Sequence, residues 1–203
     1  MIFLYNQLEM DIMEWFYKIG SNVLTILFNF ITNFGGSIVV IGLIGIIYWC
    51  VNKEKGEKIA YSVITSLCFN GLLKSFFNRK RPFQEKDKEY LRKNKSKDSA
   101  TGSSFPSGHS QNAGSLYSSI LINYRSNKLI IILCIIPMIL VPISRLYLGV
   151  HWPSDVIAGI IIELIILPHP ALIKVFGKGD AARKVVTQTI GNKTLTQVFS
   201  FDG

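Results

Sequence analysis

The chain has 203 residues, of which 49% are apolar and only 17% charged, with a formal net charge of +9 at pH 7. Soluble domains carry about 25% charged residues. The deficit here is concentrated in long apolar stretches between short polar connectors, which excludes an ordinary soluble domain and predicts a membrane protein. Nor does the positive charge predict a nucleic-acid partner. Nine of the 22 Lys and Arg residues fall within residues 78–107, where the flanking apolar segments leave no room for a folded nucleic-acid-binding domain. A phosphate or an anionic lipid headgroup is the better partner.

Residues 1–18 include Glu9, Asp11 and Glu14, where a cleavable signal peptide would need positive charge and then an unbroken apolar core. Leu8, Ile12, Trp15, Phe16 and Ile19 recur at helical spacing, so residues 1–18 are expected to form a helix lying at the membrane interface. Six apolar segments follow, at 19–34, 37–51, 59–77, 111–124, 129–147 and 156–167. Most are shorter than the roughly 20 residues a spanning helix needs, so the helices are expected to run on into polar flanks. The predicted fold is all-α, a multi-pass membrane bundle of about six transmembrane helices in one domain, residues 19–167.

Gly35-Gly36 and residues 52–56 supply tight turns. Counted as reversals, they put the N-terminus, the 52–58 loop, the 123–128 loop and the C-terminus on one side. The Gly35-Gly36 turn and the 78–107 and 144–154 loops fall on the other. Lys53, Lys55 and Lys58 in one short loop, with Arg125 and Lys128 in another, predict that the first side is cytoplasmic. Cys50, Cys68 and Cys134 lie within apolar segments and read as small packing residues.

Three patches at segment ends carry chemistry. At the end of the third segment, Lys74 and Arg81-Pro82 bracket a further Arg79-Lys80 pair. On a helix reaching the membrane surface, Lys74 and Arg81 would stand two turns apart on one face. Arg offers a planar fork to phosphate oxygens and Lys a point charge, although a generic basic helix end has the same composition. Arg79 and Lys80 read as a solvated basic stretch.

Before the fourth segment, Pro106-Ser107-Gly108-His109 stands where a helix begins. Such a start presents backbone N–H groups at the positive end of the helix dipole, and glycine lets a phosphate approach closely. His109 would stand in the first turn, near enough to exchange a proton; taken alone, the segment is equally a simple helix cap. Between the fifth and sixth segments, Ser144-Arg145 precedes His151 and Asp155. Four positions from His151 at a helix start, Asp155 would accept one of its ring N–H groups and leave the other nitrogen as a nucleophile. Arg145 adds a third cation. Alone, a His-x-x-x-Asp pair is more often structural.

Together K-x6-R-P, P-S-G-H and S-R-x5-H-x3-D, in this order and with apolar segments between them, resemble the type-2 phosphatidic acid phosphatase superfamily. That superfamily also includes the vanadium haloperoxidases and bacterial acid phosphatases. The resemblance covers about residues 19–167 and implies an acid phosphatase/vanadium haloperoxidase-like helical core. It implies a membrane-bound phosphatase that hydrolyses a phosphate monoester or diphosphate of a lipid, such as undecaprenyl pyrophosphate, phosphatidylglycerol phosphate or phosphatidic acid. Carried onto this chain, Lys74, Arg81, Arg145, the Ser107 hydroxyl and the Gly108 backbone bind the phosphoryl oxygens. His151 attacks phosphorus, Asp155 orients it, and His109 protonates the leaving oxygen and then activates water. No cofactor or metal is expected, because no carboxylates or His and Cys residues cluster at ligand spacing and three cations can stabilise the transferring group. A multi-pass position in the cell membrane follows, with the site on the extracytoplasmic face. The alternatives are a non-catalytic membrane protein that binds phosphorylated lipids and a haloperoxidase using bound vanadate.

Three features fall outside this pattern. Glu163 lies in the sixth segment, facing either the bundle interior or an interface. His169, between two prolines, reads as a loop residue. The sixth segment is about 18 Å long as a helix, against a bilayer core of about 30 Å. From Gly177 the composition turns to Gly, Lys, Thr and Gln, and residues 187–190 and 194–201 alternate around Gly191-Asn192 as a strand pair would. Residues 168–203 are expected to be a C-terminal tail of unknown role, and the abrupt change in composition motivates the hypothesis that it is foreign to the fold.

Overall fold

The structure, a computed structural model, describes residues 6–93 and 102–166. The tail from residue 168, with its expected strand pair and His169, lies outside the described residues. Helix starts follow local chemistry. Asn6 opens α1 (Gln7–Lys18) with a capping box, accepting from the Glu9 backbone N–H at 2.8 Å while Glu9 reaches back to the Asn6 N–H. Ser21 caps α2 (Asn22–Thr32). After a short 3-10 turn, α3 (Ser37–Ile46) runs into one π-helical turn (Ile47–Val51). Asn52 caps α4 (Lys53–Phe77), Ser107 caps α5 (Gly108–Asn123), and Asn127 caps α6 (Lys128–Tyr147). Pro153, with its fixed φ and missing N–H, begins α7 (Pro153–Ile166). Every regular element among the described residues is helical, and α4 runs into its polar flank as expected.

The bundle is arranged around α5, which packs on α3, α4, α6 and α7. Its lower half joins Val40, Ile47, Ile59, Val63 and Val141 in the main apolar cluster through Ala113 and Leu116. Its upper half is polar yet satisfied. Gln111 donates to the Ser66 carbonyl at 2.9 Å and accepts from Asn70 at 2.7 Å, so α4 and α5 are joined by amide chemistry inside the bundle. Gly159 lets α7 approach the start of α5, since a Cβ there would lie 2.9 Å from the Ser107 carbonyl oxygen. Glu163 faces the interior, where it accepts from the Ser66 hydroxyl at 2.7 Å beside a cavity of about 50 Å³. Outward, Ile38, Trp49 and Phe76 are each at least 80% exposed, which suits an apolar surrounding. Cys134 packs in the core as read from the sequence, whereas Cys50 and Cys68 are exposed.

Two expectations are corrected. Length and apolar composition allow α6, and α4 with its extension (Lys53–Gln84), to cross a membrane. The pair Asn22–Gly35 and Ser37–Val51 is a third span if taken as one. Among the described residues that is two or three candidates where six were expected: α5 has 16 residues, 14 residues of α7 are described, and the N-terminal spans are halves of a bent pair. The second correction concerns Gly35-Gly36, which is a bend of 50° and not a reversal. Gly35 packs against α5 and α6, where a Cβ would come within 2.6 Å of the His109 carbonyl oxygen and 2.7 Å of Val141. α2 and α3 therefore continue along the bundle, and the N-terminal helix lies at the same end as residues 78–93 and 102–107. Glu9 touches Arg79 there at 2.9 Å. The far end holds the 52–58 and 123–128 loops, with Lys55 stacked 4.1 Å from the Tyr124 ring.

Candidate functional site

The three patches meet at one end of the bundle. His151 stands in the short turn between α6 and α7 and is 2% exposed. Gly149 makes that turn possible. Its φ is +71°, and a Cβ would lie 1.9 Å from the Leu91 carbonyl oxygen, so no side chain fits. Below it, Arg145 in the last turn of α6 is buried and donates to the Thr32 hydroxyl at 2.8 Å. Asp155 occupies the first turn of α7 and is fully buried.

Lys74 and Arg81 converge by a different route from the one the spacing suggested. α4 ends at Phe77, and Asn78 closes it in the left-handed conformation at φ 39°, a position asparagine tolerates. Arg81 therefore lies beyond the helix in extended backbone. It turns inward to donate to the Val150 carbonyl at 3.0 Å and to face His151 Nε2 at 3.2 Å. Lys74 stays on the helix and donates to the Ser103 carbonyl at 2.8 Å. Its Cε is 4.0 Å from where a Cβ on Gly108 would stand. Lysine, the start of α5 and its glycine are thus neighbours. Ser107 caps that start, its Oγ 2.8 Å from the Ser110 hydroxyl, and its backbone N–H donates to the Asp155 carbonyl at 3.0 Å.

The environment of His151 differs from the expected dyad. Nδ1 lies 2.8 Å from the Ser104 carbonyl oxygen, which can only accept, so the ring proton sits on Nδ1 and Nε2 carries the lone pair. Asp155 is beside the ring as expected, but at 3.7 Å it is beyond hydrogen-bond reach of Nδ1. Its carboxylate instead accepts from the Ser104 hydroxyl, from the Trp152 backbone N–H at 2.8 Å and from Arg79 at 2.7 Å. Asp155 thus acts on His151 through Ser104, whose own backbone N–H is held by the Arg79 carbonyl at 2.7 Å. Burial, with Arg81 and Arg145 nearby, pushes the His151 imidazole down to about 3, against the opposing pull of Asp155. His109 is partly exposed in the first turn of α5.

Two participants escaped the sequence reading. Ser104 has no signal of its own, being one serine in a Ser-rich connector. Arg79 is no solvated cation: it is 5% exposed and bridges Asp155 and Glu9. The one available clue was its place two residues before Arg81, and only the turn at Asn78 gives that spacing meaning. Lys80 is exposed, and its carbonyl accepts from the Trp152 indole at 3.0 Å. Among the described residues, no three His, Cys, Asp or Glu side chains are grouped so as to hold a metal ion.

This arrangement presents a buried imidazole whose Nε2 lone pair faces Arg81, a second imidazole, and three cations set around a helix start. The family model described as "PAP2 superfamily" matches residues 57–169, more than half of the chain. An undecaprenyl-diphosphatase of Sulfolobus acidocaldarius is 35% identical over 53% of this chain and 49% of its own length. The chain spans half or less of the length of the first curated relatives it matches. Among solved structures, Aquifex aeolicus LpxE is similar with a TM-score of 0.68 at 23% identity, covering 82% of this chain and 96% of that one. A transmembrane PAP2-type phosphatidylglycerolphosphate phosphatase from Bacillus subtilis is similar with a TM-score of 0.64 at 24% identity, covering 92% and 87%. Both likenesses are of fold. α1 to α3 lie ahead of the residues the family model matches, yet they furnish Glu9 and Thr32 to the site.

Proposed function

The chain belongs to the PAP2 superfamily, and on that premise we propose that it is a membrane-embedded phosphatase acting on a phosphorylated lipid through a phosphohistidine. The observation that carries this reading is the state of His151. Its Nδ1 proton is committed to a carbonyl, and its Nε2 lone pair faces Arg81. Lys74, Arg81 and Arg145 would take the phosphoryl oxygens, with the Ser107 hydroxyl and the Gly108 backbone, and stabilise the charge of the transferring group. Bound phosphate would draw the Arg81 guanidinium to its oxygens and leave Nε2 facing phosphorus.

In the first step, the Nε2 lone pair forms the P–N bond while the P–O bond to the lipid side breaks. The electron pair leaves with that oxygen, which takes the proton of His109. In the second, His109 receives a proton from water as the water oxygen bonds to phosphorus. The P–N bond breaks, its pair returns to Nε2, and inorganic phosphate departs. The substrate's negative charge raises the proton affinity of His109 at the moment an acid is needed. No step requires a metal.

Relatives named for undecaprenyl diphosphate and phosphatidylglycerophosphate support a lipid phosphate as substrate class, as does the apolar outer surface of the helices. We place α5 and α7 in the membrane with α4, α6 and the bent α2–α3 pair. α5 crosses as the shielded central helix, its polar face turned inward. Basic residues at the far end, Lys53, Lys55, Lys58, Arg125 and Lys128, favour that end as cytoplasmic and the site as extracytoplasmic. α1, with Leu8 and Trp15 more than half exposed, would lie at the outer interface.

The test is phosphate release by purified protein in chelator from a prenyl diphosphate, phosphatidylglycerol phosphate and phosphatidic acid. Release from at least one, an acid-labile phosphoryl label on the protein, and loss of both in His151→Ala are expected. Lipid binding with no release from any of the three would leave only the non-catalytic alternative. Halide oxidation with vanadate would favour the haloperoxidase.

A further inference from the structure

Glu9 is the least expected charge in this molecule. It belongs to α1, ahead of the residues the family model matches, and is 7% exposed. A carboxylate is buried only against partners that replace its water, and apart from the capping contact with the Asn6 N–H at 3.4 Å every partner here leads toward His151. One oxygen accepts from Arg79 at 2.9 Å. The other accepts from the Ser154 backbone N–H at 3.0 Å and its hydroxyl at 2.5 Å. Arg79 spends its other terminal nitrogen on Asp155 at 2.7 Å and on the Ser154 hydroxyl at 2.6 Å. Asp155 then holds Ser104 and the Trp152 N–H, and Ser104 holds the His151 ring.

We propose that Glu9 is a positioning residue for the His151–Asp155 pair, acting through Arg79. The inference rests on the catalytic reading of His151 above. A guanidinium held by one carboxylate alone can swing about that contact. Held by two on opposite sides, it has a single orientation, and the Asp155 carboxylate is fixed with it. Glu9 also accepts from the N–H next to Asp155 in sequence, so α1 clamps both the side chain and the backbone at the start of α7.

A purely structural ion pair could be replaced without changing turnover, whereas a positioning residue acts on kcat. With farnesyl diphosphate in detergent micelles as the probe, Glu9→Gln is expected to lower kcat about 10-fold with KM within about twofold, and Glu9→Asp to fall between it and the parent. Because the effect passes through Arg79, Glu9→Gln is expected to change kcat less than about twofold in an Arg79→Lys background, where the fork is already lost. A Glu9→Gln protein with unchanged kcat overturns the proposal. So does one that loses the same factor in both backgrounds. If Glu9→Gln does not fold, judged by thermal unfolding in micelles, Glu9→Asp carries the test. Reduced kcat at unchanged KM then supports the proposal, and parental kcat overturns it. His151→Ala separates the two claims: parental turnover in that variant defeats the catalytic reading itself, whatever Glu9 does.

Discussion

His151 and Ser104 are joined through the backbone: the ring Nδ1 proton goes to the Ser104 carbonyl oxygen at 2.8 Å, while the Ser104 hydroxyl goes to Asp155. The serine thus stands between a carboxylate and an imidazole that sequence spacing would have joined directly. Substitution separates its two roles. Ser104→Ala keeps the carbonyl and removes the hydroxyl, so the tautomer persists while the tie to Asp155 is lost. The expected result is a fall in kcat of about 10-fold with little change in KM. A variant with parental kcat would assign Ser104 to packing alone.

Asp155 carries more than Ser104, because it also holds Arg79 and the Trp152 N–H. Asp155→Asn leaves Arg79 with one carboxylate in a buried setting. Removing one member of a buried ion pair costs about 3–5 kcal/mol, so a marked loss of thermal stability should accompany loss of turnover. Thermal unfolding in micelles checks the first and phosphate release the second. An Asp155→Asn protein that is inactive yet fully stable would mean that Arg79 finds Glu9 sufficient.

The depressed proton affinity of His151 has a signed consequence. Unfolded histidine takes up its proton near pH 6.5, and folded His151 only near pH 3. Between these values the unfolded chain binds more protons, so the contribution of His151 favours the folded state in full above about pH 6.5 and is lost as the pH falls toward 3. The melting temperature should therefore drop less steeply below pH 6.5 in His151→Gln than in the parent. In kcat/KM, no acid limb belonging to His151 is expected near its ordinary value. A limb near pH 6.5 that His109→Gln leaves in place would contradict the buried, neutral His151.

Anion binding should recruit a proton to His109. The cations of the site, Lys74, Arg81 and Arg145, are the groups a dianion would neutralise. Sulfate, which does not titrate near neutral pH, is a suitable probe. Calorimetry in buffers of different ionisation heat should show uptake of up to about one proton per sulfate bound, abolished in His109→Gln. Uptake that is identical in the two proteins would place the titrating group elsewhere.

Gly149 offers a mechanical test of the His151 turn. Alanine there meets both a left-handed backbone and the Leu91 carbonyl. The backbone strain alone costs about 1–2 kcal/mol, and the clash adds to it. Gly149→Ala should lower stability by at least about 2 kcal/mol and reduce kcat, since the displaced residues run directly into His151. Parental stability would show that the 91–93 segment yields easily.

The residues that meet at the candidate site were legible because each patch combines a local device with a chemical type: Pro and Ser at a helix start, an arginine just past a helix end, a histidine four residues before an aspartate. The apolar runs of the helices were legible for the same reason, whereas the caps Asn52 and Asn127 that set two helix starts were read only as loop residues. What depended on distant partners was not. Gly35-Gly36 reads identically as a hairpin or a bend, and the approach of His109 and Val141 to Gly35 decided for the bend. That choice moved α1 to the site's end. Arg79 reads as one more solvated cation until Glu9, 70 positions earlier, and Asp155, 76 later, remove it from water. Hydrophobic runs and caps carry their physics within one turn of chain, but the partner of a buried charge is chosen by packing. Sequence alone therefore named groups that the fold brings together at one end of the bundle, and the tertiary structure decided which charges hold those groups still.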